Sequence, residues 1–119
     1  MTYYQRLYSW LHFGHESTLE TLRRKQSRFA RMIALLILEA DRLGYEITFG
    51  DFYAHEGHME KSLHYKRLAA DLNLFKGGEY LSSSEAHRPL GEYWESLGGA
   101  WGGRFGDGNH YSLEHKGVK

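Results

Sequence analysis

The first regular pattern along the chain is a stripe. Leu22, Phe29, Ile33, Leu36, Ala40 and Leu43 recur at spacings of three, four and seven, the period of one buried helix face. Upstream, Ser17-Thr18-Leu19-Glu20 has the form of a capping box, in which a hydroxyl and a carboxylate satisfy the free backbone N–H groups. A helix is therefore predicted from Ser17, and Gly44 predicts its left-handed end. Tyr45-Glu46-Ile47-Thr48-Phe49 alternates apolar and polar, which predicts a strand with one buried face. Residues 50–63 read as a polar loop. A second strand follows at 69–75, then a turn at 76–79 and a short returning strand at 80–81. Ser82 and Glu85 form a second capping box, which predicts a helix to about Ser96 with a break permitted at Pro89. Residues 98–108 are glycine-rich, and 109–114 alternate again as a last strand. Only the stretch 82–100 is long enough for a parallel crossover, so the pattern predicts an α+β fold with a mostly antiparallel sheet.

Composition narrows the picture. With 119 residues, 41% of them hydrophobic and 15% aromatic, one domain with a real core is expected. Residues 1–16 are aromatic and irregular and read as an N-terminal appendage to a domain over 17–119. Lys+Arg and Asp+Glu number 15 each, so no overall charge draws the chain to nucleic acid or to a membrane. The basic cluster Arg23, Arg24, Lys25, Arg28 and Arg31 then reads as a solvated helix face. The longest apolar run, 32–38, is too short to span a bilayer. The start, MTYYQRLYSWLHFGH, lacks the features of a secretory signal. A product of the cytoplasm acting outside it would need another route of release. A monomer is expected. There is no cysteine, which excludes disulfides, thiol nucleophiles and cysteine-based zinc sites. Eight histidines and the carboxylates remain as strong metal ligands.

The candidate chemistry lies in SLHYKRLAADLNLF, residues 62–75. Asp71 sits between Ala70 and Leu72 in an apolar run, where an unpaired carboxylate is costly. A metal ion removes that cost, and so does a salt bridge to Arg67 or Lys66. Two tetrahedral zinc ligands lie about 3.5 Å apart, whereas seven extended residues span about 23 Å. A metal shared by His64 and Asp71 therefore requires the chain to reverse at 65–68. A later stretch, WGGRFGDGNHYSLEH, offers His110 at the start of the last strand and Asp107 in the glycine loop before it. A catalytic zinc site takes three protein ligands and leaves a position for water, and a nearby carboxylate can move that water's proton. His64, Asp71, His110 and Asp107 supply those parts; His115 competes with His110 for the third place. His55-Glu56-Gly57-His58 is one residue short of the HExxH spacing that puts two imidazoles on one helix face. His12 and His15 fall in the appendage, and His87 reads as a surface residue. Trp94 and Trp101 read as core or as cleft wall, and alternation next to His110 points Tyr111 into the core.

Ser62-x-His64, Ala69-x-Asp71-Leu72, Trp101-Gly102-Gly103 and Asp107-x-x-His110-Tyr111 together resemble the zinc D-Ala-D-Ala carboxypeptidase and L-alanyl-D-glutamate endopeptidase family. Within it, the small bacteriophage endolysins are most similar. The resemblance covers about residues 20–119. It implies one Zn²⁺ held by His64, Asp71 and His110, Asp107 as general base, and the peptidoglycan stem peptide as substrate. It implies a metallopeptidase-like fold, a small antiparallel sheet with helices packed on it, and a wall-degrading role after release from a host cytoplasm or as part of a virion. Ser62, Arg67, Arg104 and Trp101 are the expected substrate contacts. The chain departs from the pattern twice. Arg67 stands where the family usually has glycine. Ala54 follows Tyr53 where an arginine usually stabilises the developing oxyanion, and loss of one such donor costs about 10²–10³ in turnover. Arg67, Arg104 and His55 are the candidate replacements. The alternative to an active peptidase is a weak or inactive wall-peptide-binding module of the same fold. Nucleic-acid binding through the basic helix is a third, weaker reading.

Overall fold

The computed structural model describes residues 20–53, 57 and 61–119, together with Thr2 and Gln5. Helix α1 spans Leu22–Arg42 and begins later than its sequence suggests. Its cap is Thr21, whose Oγ1 accepts from Arg24 N at 3.2 Å. Glu20 lies before the helix, and its carboxylate binds the Arg28 guanidinium through two bonds of 2.7 and 2.9 Å. That charge-assisted fork is stronger than a neutral backbone cap. Ser17, Thr18 and Leu19 lie outside the described residues. Phe29, Ile33, Leu36 and Ala40 are buried as expected, and Met32 and Leu35 widen the stripe. Leu22, in the first turn, is exposed. Arg28 departs from the solvated basic face and is buried against Glu20. Gly44 ends the helix at φ 85°.

The strands are β1 (Glu46–Phe49), β2 (Ala69–Lys76), β3 (Glu79–Tyr80), β4 (Ala100–Trp101) and β5 (His110–Ser112). They form one antiparallel sheet ordered β1-β2-β5-β4, with β3 pairing the end of β2. The α+β architecture is as the pattern predicted. Ala70, Leu72, Leu74 and Tyr111 are buried in the core that also holds Phe29, Leu36, Leu90 and Trp94. β1 is an edge strand, and Phe49 at its end is exposed rather than buried. β4 was hidden within the glycine-rich stretch.

The second helix is shorter than predicted. A 3₁₀ turn over Glu85–His87 precedes α2, Arg88–Ser96. Pro89 sits in the first turn of α2, where its missing N–H leaves nothing unsatisfied. The Ser82/Glu85 box does not form. Ser83 Oγ accepts from Ala86 N, and the Glu85 carboxylate binds Arg88 at 2.6 and 2.8 Å. His87 is not on the surface. It is 3% exposed, and its Nδ1 shares a 2.8 Å hydrogen bond with the Tyr111 hydroxyl. Gly91 lets α2 lie against Trp101, because a Cβ there would stand 2.1 Å from the indole. Among the described residues no helix is long and apolar enough to cross a membrane.

Candidate metal centre

His64 arrives through a tight turn. Ser62 caps a 3₁₀ turn over Leu63–Lys66, its Oγ accepting from His64 N at 3.2 Å. Arg67 then takes a left-handed conformation at φ 57°, and Leu68 N donates back to Leu63 O at 3.0 Å. This is the reversal that the seven-residue spacing demands. Left-handed backbone costs a residue with a Cβ about 1 kcal/mol, which accounts for glycine at this place in the resembled pattern. Here the Arg67 guanidinium stands 4.1 Å from the centre of the Tyr53 ring, and that cation–π contact offsets part of the strain.

Asp71 comes from the middle of β2. Toward β1, Gly50 N donates to Asp71 O and Asp71 N donates to Asp51 O, both at 2.8 Å. Two residues thus oppose one, a bulge that ends β1 beside the site. Toward β5, the bonds run from Leu72 N to Asn109 O and from Leu113 N to Leu68 O. Asp71 and His110 are therefore a non-hydrogen-bonded pair in register. Such pairs hold their side chains closest, with Cα atoms about 4.5 Å apart.

His110 is delivered by a loop pinned at several points. Trp101 Nε1 donates to Gly108 O at 2.8 Å, and Gly108 N donates to Ser84 Oγ at 3.0 Å. Asp107 N donates to Gly102 O, and His110 N to Asp107 O. Gly102 is required by this closure, since a Cβ there would meet Asp107 O at 2.2 Å and His110 Cβ at 2.7 Å.

The three side chains converge. Asp71 Oδ1 lies 3.3 Å from His64 Nε2 and 3.5 Å from His110 Nδ1. One ligand atom from each residue lies within 4.8 Å of the others. Tetrahedral bonds of about 2.1 Å place ligand atoms about 3.4 Å apart, so the set fits a tetrahedral ion with an open position. Both imidazoles are buried, while Asp71 is partly open. The expected alternative, a bridge from Asp71 to Arg67 or Lys66, is replaced by the two imidazoles. Burial pushes the Asp71 carboxyl up, but hydrogen bonds from His110 and His64 outweigh it and hold the group well below the usual carboxylate range. At neutral pH it is an anion facing two nitrogen ligands. Among the described residues, buried His110 Nε2 has no hydrogen-bond partner.

A cavity of about 250 Å³ opens over these residues. Ser62 and Asp107 line it, and so do Lys61, Phe105 and Lys119, which sequence reasoning missed. The other expected contacts lie elsewhere. Trp101 is 2% exposed and holds the Gly108 loop from within the core. Arg104 is bound by the Glu95 carboxylate at 2.7 and 2.9 Å, and Arg67 stacks on Tyr53. His115 stands apart from the three ligands, with Nδ1 3.4 Å from Lys25 Nζ. His12, His15, Ala54, His55, Glu56 and His58 lie outside the described residues.

A family model described as D-alanyl-D-alanine carboxypeptidase matches residues 56–113. The matched segment contains His64, Asp71, Asp107 and His110, and it supports the peptidase family. No curated protein and no solved structure matches the chain.

Proposed function

We propose that the protein is a zinc peptidase that hydrolyses a peptide bond in the peptidoglycan stem. The observation that carries this reading is the convergence of His64 Nε2, Asp71 Oδ1 and His110 Nδ1 at tetrahedral ligand spacing, inside the segment matched by the carboxypeptidase family. These three residues would hold Zn²⁺. The bound ion supplies Lewis acidity, polarising the scissile carbonyl and making a water at the open position a better acid. Asp107, on the wall of the same cavity, takes the proton of the attacking water on its carboxylate and delivers it to the departing amine. Ser62 and Phe105 border the space in which the peptide lies. The wall-lysing role of a phage endolysin belongs to the same proposal.

One observation favours the second reading, a wall-peptide binder with little activity. Among the described residues no arginine lines the cavity, and its cations are Lys61 and Lys119. Digestion of purified cell wall separates the two readings. The peptidase releases new amino groups, loses that activity in Asp107→Ala, and keeps one zinc per chain in that variant. A binder sediments with the wall and releases none. A wild-type protein without stoichiometric zinc affinity would end the peptidase reading.

A further inference from the structure

The cavity over the metal ligands continues into a second one. The two share Lys61, Ser62, Leu63 and Val118 as walls, and the neighbour, about 480 Å³, is completed by Tyr65, Lys66, His115 and Lys116. Three lysines, Lys61, Lys66 and Lys116, thus line one space. Among the described residues no carboxylate pairs with Lys61, Lys66 or Lys116. A fourth cation, Lys25, reaches in from α1 to His115 Nδ1 at 3.4 Å. Burial, then Lys25, Lys116 and Lys66, depress the proton affinity of His115, which reports a positive potential there. The acids acting on Lys25 are Glu20, which is also bound by Arg28, and then Glu114.

The backbone holds this arrangement under strain. Lys116 adopts φ 50°, in a turn closed by two 2.9 Å bonds between His115 and Val118. Another cavity that adjoins the metal centre differs. At about 400 Å³, it shares Phe105 and Lys119 with the centre, but its Arg104 is neutralised by Glu95 and Glu114 also lines it. Among the described residues, the Lys61 side gathers three lysines without a paired carboxylate, whereas the flank with Arg104 and Glu114 holds one, Lys119. Lysines act as point charges on flexible stems, suited to an anion whose exact position varies.

We infer that the basic cavity is a subsite for a carboxylate of the substrate peptide, on the part of the peptide that runs from the scissile bond past Ser62. This rests on the peptidase reading only for the identity of the substrate as a peptide. Inorganic phosphate shares the charge chemistry and serves as the control anion.

The test uses the full chain, wild type and the double variant Lys66→Gln/Lys116→Gln, with two probes. One is a stem tetrapeptide with free carboxylates; the other is the same peptide with its carboxylates amidated. Binding is measured by calorimetry at low and moderate salt. Wild type should bind the free-carboxylate peptide about tenfold more tightly than its amidated twin, and added salt should shrink that advantage. The double variant should lose the advantage while keeping the wild-type metal content, circular dichroism and affinity for the amidated peptide. Equal binding of the two peptides by wild type would overturn the inference, as would an advantage that survives in the double variant. Displacement of both peptides alike by inorganic phosphate would mark a general anion site and overturn it too. A protein that prefers the free carboxylates yet binds no zinc keeps the subsite and loses the peptidase reading. Zinc-dependent cleavage with no carboxylate preference does the reverse.

Discussion

At the scale of single residues, the centre shows how one side chain can be unfavourable by itself and useful in company. Asp71 occupies a strand position whose neighbours Ala70 and Leu72 are fully buried, and its carboxylate is stabilised only because two imidazoles meet it. Asp71→Asn keeps the shape and removes the charge. Zinc affinity should fall by more than about 100-fold, beyond the 10–100-fold typical of outer-shell changes, with the circular dichroism spectrum unchanged. Retained stoichiometric zinc would remove Asp71 from the ligand set. Arg67 makes the opposite case, an apparent departure that its surroundings accommodate. Arg67→Gly relieves the left-handed strain and loses the contact with Tyr53. Thermal unfolding should shift by no more than about 1 kcal/mol in either direction, and metal binding should be unaffected.

At the scale of elements, the centre is assembled from one strand pair and one pinned loop. Ser84 stands in the turn before α2 but acts on the loop before β5, accepting from Gly108 N. Ser84→Ala should cost about 1 kcal/mol of stability. It should lower turnover more than zinc affinity, because it loosens the segment that carries Asp107; unchanged turnover with lowered stability would confine Ser84 to a structural role. Much of this level was legible in the chain. Alternation located β1 and β5, an apolar run located β2, and an acid inside that run flagged Asp71. The burial of His87 and the loop-holding bonds of Ser84 and Trp101 carry no local signal, because their partners, Tyr111 and Gly108, are distant in sequence. β4 escaped because two residues within a run of glycines carry no period.

At the scale of the whole molecule, the buried His87–Tyr111 pair joins the first turns of the α2 segment to the strand that carries His110. Burial pushes His87 down to about 4 from an ordinary 6.5. Between those values the unfolded chain binds more protons than the folded one, so stability is full above about pH 6.5 and declines as pH falls toward 4. The loss should be on the order of 2 kcal/mol, measurable as a falling urea midpoint. His87→Phe should flatten that part of the profile, and an unchanged slope would mean that other groups set it.

The chain order of the three ligands has a consequence for endurance. His64 lies in the 3₁₀ turn just before β2 and Asp71 within β2, while His110 follows only after β3, α2 and β4. A captured cation would therefore act as a removable cross-link, fastening two distant stretches of polypeptide that otherwise meet through a few strand bonds. Ligand binding to the native state alone raises stability in proportion to the logarithm of its concentration. Chelation should accordingly lower the melting temperature and open the segment between Asp71 and His110 to proteases, so that ambient zinc would govern how long the molecule lasts as well as whether it works.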